Sequence, residues 1–236
     1  MERNLISVNK VELKIDWATH KAAKYACENW HYSKCLPIGK LVKIGAWENN
    51  KFIGVVIYGR GTSPKLGCKY NLGQKECVEL VRVALTKHKS CVSRIISIAQ
   101  KYLKQFNPNL RLVVSFASQN EGHYGGIYQA GNWIYNGVTS PKDEFLFNGK
   151  RATDRVLSEY VKKTRIGRRE LERRGLIYRF PTTTKFRYLM PLDDEMKKRI
   201  SPLSKPYPKR EKLGDDPDHG NSDGATPILT LHKKAA

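Results

Sequence analysis

The chain has 236 residues, of which 40% are hydrophobic and 28% are charged. This length and hydrophobic share are typical of a globular domain of about 200 residues with a solid core, and they exclude a chain that is disordered throughout. With 43 Lys and Arg against 22 Asp and Glu, the net charge is +21, which predicts a polyanionic partner. The sequence contains no long apolar run, so we expect a soluble cytoplasmic protein that does not bind a membrane.

The positive charge is distributed unevenly along the chain. Residues 1–150 carry 22 basic and 10 acidic side chains, whereas residues 151–213 carry 19 and 8 in less than half that length. Residues 201–236 are rich in proline, glycine and aspartate, which is typical of disorder. We therefore predict a catalytic core over residues 1–150, a basic DNA-binding extension packed on it over residues 151–200, and a disordered tail over residues 201–236.

The periodicity of apolar residues predicts an α/β fold. Alanines and Trp30 repeat every four residues in a helix that Asp16 would cap and that would end near His31. The segments 41–47 and 52–58 predict an antiparallel hairpin. Strand 77–85, helix 90–106, strand 110–116, a short helix 125–130 and strand 133–137 follow. This order predicts a mixed β-sheet flanked by helices.

Basic residues concentrate in two places that suit contact with nucleic acid. The loop over residues 59–73 is long enough to be a binding loop, although it could also be an ordinary connection. Two short helices, 158–163 and 168–174, are crowded with Lys and Arg, with aromatic residues following; the alternative is a solvated surface. The candidate DNA-binding residues are Arg60, Lys65, Lys69, Lys162, Lys163, Arg165, Arg168, Arg169, Arg173, Arg174 and Arg187.

Arg82 lies inside the otherwise apolar strand 77–85. A buried guanidinium is costly unless an anion meets it, so Arg82 is either an anion clamp or the partner of a carboxylate such as Glu121. Strand 110–116 then opens into a polar turn that contains glycines, and ligands of α/β sheets bind at such places. These two segments form the candidate site.

Three residues near the end of the first helix could contact a metal ion. Cys27, His31 and Cys35 are spaced by four residues, but the sequence offers no clear fourth ligand. His31 could also simply cap the helix, where a cationic imidazole is favoured. The five cysteines include no CxxC pair, which argues against a disulfide framework or a zinc ribbon.

The element order resembles the GNAT N-acetyltransferase fold, and several separated motifs resemble the Mom family of phage DNA-modification proteins. These motifs are His31-Tyr32-Ser33, Glu79-Leu80-Val81-Arg82, the run from Ser115 to Tyr135, and the segment from Arg187 to Leu192. The resemblance implies modification of adenine in double-stranded DNA, where a carbamoylmethyl group on the exocyclic amine shields phage DNA from host restriction enzymes. It places the catalytic residues at His31, Tyr32, Arg82 and Tyr128, and Ser118 stands where the family usually has an aspartate.

The GNAT resemblance also implies a cofactor site for acetyl-CoA after strand 77–85. The glycine-rich pyrophosphate turn of that fold is replaced here by residues 86–94, where backbone N–H groups and lysines could still bind phosphate. The candidate cofactor-binding residues are Val83, Leu85, Lys87, Lys89, Ser90 and Arg94. Participation of a metal such as iron and the identity of the group donor stay open.

The mechanism implied by the resemblance requires a flipped adenine, because its amine lies within the base stack. Tyr32, Tyr124 or Trp133 would stack on the base. His31 would accept a proton, Arg82 would clamp an anion, and Tyr128 would donate a proton or orient the substrate. Two alternatives stay open: an acetyltransferase acting on a protein or small amine with Tyr128 as general acid, and a DNA-binding protein without enzymatic activity.

Overall fold

The computed structural model describes residues 11–61, 63, 65–141, 145–152, 154–179 and 184–209. Its helices and strands are β1 (Leu13–Trp17), α1 (His20–Trp30), β2 (Leu41–Glu48), β3 (Lys51–Gly59), β4 (Cys77–Leu85), α2 (Val92–Phe106), β5 (Leu112–Ser118), α3 (Gly126–Gln129), β6 (Ile134–Val138), β7 (Phe145–Phe147), β8 (Lys150–Ala152), α4 (Asp154–Thr164), α5 (Arg168–Arg173), β9 (Ile177–Arg179), β10 (Lys185–Pro191) and α6 (Asp194–Ile200). Within this described part, no helix is long and apolar enough to cross a membrane.

Seven strands form the central sheet in the order β1-β2-β3-β4-β5-β10-β6. Neighbouring strands are antiparallel except β4 and β5, which are parallel because helix α2 carries the chain back between them. The predicted mixed sheet flanked by helices is therefore confirmed, and so is the predicted hairpin of β2 and β3.

The two parallel strands separate partway along their length. Their pairing runs from Cys77 opposite Leu112 to Leu80 opposite Ser115, whereas β4 continues to Leu85 and β5 to Ser118. An irregularity in the pairing of β3 with β4 falls at the same level. The carboxyl halves of the two strands thus leave an opening in the middle of the sheet, which we call the β4–β5 split.

Helices cover both faces of the sheet. Helix α2 packs its apolar residues against Val56 and Tyr58 of β3, and α1 packs on the opposite face against Val55 and Ile57. Because successive strand residues point to opposite faces, both halves of the apolar β3 sequence are buried. Helix α6 lies on the same face as α1, against Leu189 and its neighbours.

The beginning of the chain differs from the prediction. Asp16 does not cap α1; it lies in β1, which pairs with β2, and its carboxylate accepts a hydrogen bond from the Tyr102 hydroxyl (3.0 Å). The cap is Thr19, whose hydroxyl accepts from the backbone N–H of Ala22 (3.1 Å). β1 was missed because its partner strand lies about 30 residues further along the chain.

Residues 145–179 form a small second sheet with two helices, which we call the basic unit. Strands β8, β7 and β9 pair in that order, and α4 and α5 enclose a separate apolar core of Phe145, Leu157, Leu171 and Ile177. Gly175, in the left-handed conformation at φ +67°, follows α5 as expected for a helix stop.

The chain then returns to the central sheet, since β10 lies between β5 and β6. The segment 151–200 is therefore divided between the basic unit and the main sheet. Residues 201–209 pack on the sheet as well: Lys205 donates its backbone N–H to Tyr135, and the Tyr207 hydroxyl donates to the carbonyl of Trp133. Of the tail predicted to be disordered, residues 210–236 lie outside the described residues.

Candidate active site

Arg82 lies on β4 just beyond the last residue paired with β5, so its side chain belongs to the β4–β5 split. Its Nη1 donates to the carbonyl oxygen of Val81 (2.9 Å), and its Nε is buried without a hydrogen-bond partner among the described residues. Within the same residues no carboxylate pairs with this guanidinium, so the alternative of an ion pair with Glu121 is not observed. Arg82 therefore keeps donors for an anionic ligand.

His31 follows the last residue of α1 and is only 8% exposed. Its Nδ1 accepts the backbone N–H of Ser33 (3.1 Å) and lies 2.8 Å from the Ser33 hydroxyl. Burial, followed by the nearby charges of Arg82 and His123, lowers the pKa of the imidazole to about 3. The ring is therefore neutral, and because Nδ1 accepts an N–H, its proton is on Nε2.

Three rings lie in a row beside Arg82. The rings of His31 and Tyr32 are 4.2 Å apart, and the Tyr32 ring meets the His123 ring nearly edge-on at 5.2 Å. Burial also lowers the pKa of His123, but the Glu121 carboxylate opposes this shift. His123 is a site residue that sequence reasoning missed, although it stands inside the Ser115–Tyr135 motif next to two glycines, a pattern typical of a polar turn.

Tyr128 is 7% exposed, and its hydroxyl lies at the base of the β4–β5 split. This hydroxyl is 2.7 Å from the Ser115 hydroxyl, which is itself 2.9 Å from the carbonyl oxygen of Leu80. Leu80 and Ser115 are the last paired residues of the two strands. Burial raises the pKa of Tyr128 to about 12, so the phenol keeps its proton.

Ser118 ends β5 and is 9% exposed. Its carbonyl oxygen accepts the backbone N–H of His123 (3.1 Å), which fixes the turn that carries the second imidazole. The described structure shows no hydrogen bond of the Ser118 hydroxyl to a catalytic candidate. A catalytic role of Ser118 stays a prediction. The contact observed for this residue is the hydrogen bond between its backbone carbonyl and the N–H of His123.

The structure restricts which aromatic side chain could stack on a base. Trp133 is 1% exposed and packs on the Tyr128 ring at 5.0 Å, so the prediction that Trp133 stacks on adenine is wrong. Tyr32 and Tyr124 are half-buried and can still offer part of their rings. Trp133 was misjudged because its burial depends on α2 and β10, which are distant in sequence.

The segment expected to bind acetyl-CoA departs from a phosphate site. Val83 and Leu85 pack against the core, while the side chains of Lys87, Lys89 and Arg94 are exposed. The backbone N–H groups of Lys89 and Ser90, which we expected to face phosphate, donate to the carboxylate of Glu48. These two amides therefore do not fit a diphosphate, and we derive no catalytic step through this cofactor.

The structure describes no group of three or more His, Cys, Asp or Glu side chains that could hold a metal ion in the parts of the chain it covers. Cys27 is buried, and burial raises the pKa of its thiol to about 11, whereas Cys35 is exposed. The described residues thus provide no ligand set for the iron that the sequence left open.

The predicted DNA-binding residues differ in their surroundings. Seven have exposed side chains: Arg60, Lys65, Lys69, Lys162, Lys163, Arg165 and Arg169. Arg173 and Arg174 are also exposed, but both pair with Glu170. Arg168 donates to the Ser158 hydroxyl, and the half-buried Arg187 donates to Asn136 and lies over Phe116. DNA binding by these residues stays a prediction.

The model of the Mom protein family matches residues 12–209 of the chain. The chain belongs to the Mom protein family. It is 23% identical over 217 residues to the protein named "Methylcarbamoylase mom" of Escherichia phage Mu, with 88% of each chain covered.

Two of the solved structures that resemble this chain are titled as acetyltransferases. A protein of Acinetobacter baylyi ADP1 named as an acetyltransferase has a TM-score of 0.43 at 10% identity and covers 85% of this chain and 99% of its own. An acetyltransferase of the GNAT family from Streptococcus pneumoniae also has a TM-score of 0.43, at 12% identity, and covers 77% and 100%. The mixed sheet flanked by helices agrees with the fold class that the sequence predicted.

Proposed function

We propose that this protein modifies adenine in double-stranded DNA on the exocyclic amine, adding a carbamoylmethyl group, and so protects phage DNA from restriction in the host cytoplasm. Membership of the Mom family supports this proposal. The observation that carries it is the group at the β4–β5 split: a guanidinium with unmet donors next to a neutral imidazole and a phenol that keeps its proton.

We assign each group a role that follows from its protonation. Arg82 binds an anionic part of the group donor through donors that no carboxylate of the described residues occupies. His31 carries its proton on Nε2 and has Nδ1 engaged by Ser33, so it acts as a neutral hydrogen-bond donor. Tyr128 likewise donates a hydrogen bond or a proton.

His123 is the proton acceptor in this proposal. The amine of adenine is a weak nucleophile because its lone pair is delocalised into the ring, so a base must take a proton as the new bond forms. The pKa of His31, at about 3, is too low for this task, whereas the carboxylate of Glu121 opposes the lowering of the His123 pKa by burial. Tyr32 lies between the two imidazoles and is the side chain placed to stack on a flipped base.

The basic unit would hold the duplex while the base turns out of the stack, which costs a few kcal/mol. Its exposed Lys162, Lys163, Arg165 and Arg169 can contact phosphates without sequence preference. These contacts position the DNA, and the split receives the base.

Mass spectrometry of nucleosides from DNA of cells that express the protein tests the proposal. Wild type should yield a carbamoylmethyl derivative of deoxyadenosine, and Arg82→Ala, Tyr128→Phe and His123→Ala should each lower its yield by at least ~100-fold. His20→Ala and Tyr25→Phe are matched controls, because these residues are exposed on α1. Unmodified adenosine with soluble wild-type protein would refute the proposal, while full activity of His123→Ala would remove only the assignment of the base.

A further inference from the structure

Glu48 places a carboxylate on the turn between β4 and α2. It is the last residue of β2 and is 9% exposed. The backbone N–H of Lys89 lies 3.1 and 2.9 Å from its two oxygens, and the N–H of Ser90 lies 2.6 Å from Oε1. Two consecutive amides immediately before α2 thus converge on one internal anion.

The carboxylate is held in its charged form. Burial alone would raise the pKa of Glu48, but the Ser90 hydroxyl, the two backbone N–H groups and the charge of His88 outweigh it and keep the pKa below the ordinary value. Consecutive N–H groups that point at one place form a concave site for anions. Here that place is taken by a side chain of the protein itself.

A diphosphate could not share these donors with Glu48. Each N–H can make one strong hydrogen bond, and a second anion next to the buried carboxylate would meet like-charge repulsion. The turn also lacks the glycines that permit close approach of a phosphate, since residues 86–94 contain none. The occupied amides and the absence of glycine therefore both disfavour the binding of a diphosphate at this turn.

We propose that Glu48 is a specificity-determining residue that excludes donors carrying a diphosphate, such as acetyl-CoA, from the β4–α2 turn. This inference rests on the proposed function only in treating the protein as a transferase with a separate group donor. It implies that the donor is held mainly at the split, where Arg82 offers its guanidinium, and not by a phosphate at the start of α2.

Calorimetric titration of coenzyme A into wild type, Glu48→Gln and Glu48→Ala tests this inference. Glu48→Gln removes the charge and Glu48→Ala frees both amides, so we expect coenzyme A to bind at least about tenfold more tightly to the variants than to wild type. Acetyl-pantetheine, which lacks the diphosphate, should bind all three proteins equally. Glu28→Gln, at an exposed carboxylate on α1, is the matched control and should bind like wild type.

Equal affinity of wild type and both variants for coenzyme A would overturn the inference, and so would the absence of binding to all three. Thermal unfolding of each variant establishes that it is folded, and Glu48→Gln, which keeps the shape of the side chain, provides the test if Glu48→Ala is not. Because binding is read without DNA, this experiment can fail while adenine modification succeeds, and the reverse.

Discussion

At the scale of single residues, the surroundings of His31 decide its chemistry. An imidazole at the end of a helix is usually stabilised as a cation by the helix dipole. Here the ring is buried beside Arg82, and its Nδ1 already accepts an amide N–H, so the neutral form prevails. The base that the sequence predicts at this position stays a prediction, and the neutral ring with Nδ1 occupied supports the donor role that we propose.

His31 should make the stability of the protein sensitive to acid. Its pKa is about 3 in the folded chain against an ordinary 6.5, so between these values the unfolded chain binds a proton that the folded chain does not. Stability is then lost as the pH falls below 6.5, by ~2 kcal/mol at pH 5. We expect urea unfolding to show that the free energy of unfolding falls less between pH 7 and pH 5 in His31→Gln than in wild type, by this amount. His20→Gln is the control; a His31→Gln variant as acid-sensitive as wild type would contradict the prediction.

At the scale of elements, a glycine sets the position of the short helix α3. Gly125 precedes α3 with φ +78°, and a Cβ there would lie 2.3 Å from a ring carbon of Tyr188. The Tyr188 hydroxyl in turn donates to the carbonyl of Tyr124, and Tyr128 of α3 reaches Ser115. The backbone of this turn therefore fixes where the phenol of Tyr128 points.

Gly125→Ala should destabilise the protein by about 2 kcal/mol or more, because the new methyl group both clashes with Tyr188 and disfavours the left-handed backbone. Gly126→Ala is the matched control, since a Cβ at the next residue meets nothing within 4 Å and its φ is negative. Urea unfolding should find Gly126→Ala as stable as wild type or more so. Equal stability of the two variants would show that the turn does not need a glycine.

At the scale of the whole molecule, the number of basic residues overstates the positive surface available to DNA. Glu170 accepts hydrogen bonds from both Arg173 and Arg174. These two arginines lower the pKa of its carboxyl to about 2. Arg179 pairs with Glu172 in the same unit. Part of the charge that the sequence counts is thus neutralised within the basic unit.

Releasing those arginines should strengthen DNA binding. We expect Glu170→Gln to bind a duplex oligonucleotide several-fold more tightly in fluorescence anisotropy, and Arg169→Gln to reduce the slope of log affinity against log salt by about 0.9. Glu195→Gln is the control, because Glu195 also bridges two arginines but lies on α6. If Glu195→Gln increased the affinity for DNA as much as Glu170→Gln, only the total charge of the protein would matter.

The sequence predicted the elements whose signal is local. The hairpin of β2 and β3, the strand β4 and the helix α2 follow from the period of their apolar residues, and the motifs selected His31, Tyr32, Arg82 and Tyr128. β1, β10 and the small sheet were not predicted as strands. β1 and β10 owe their places to partners that are distant along the chain, and the three strands of the small sheet have only three residues each.

By itself, the sequence determined the fold class, the family motifs and four residues of the candidate site, because residue type and spacing express these directly. The tertiary structure alone decided their protonation and their partners: His31 is neutral, Arg82 has no carboxylate partner among the residues the structure describes, and Trp133 is buried. It also brought Glu48 to amides 41 and 42 residues away. Burial shifts a pKa, and contacts between distant residues occupy hydrogen-bond donors. Neither can be deduced from the local sequence.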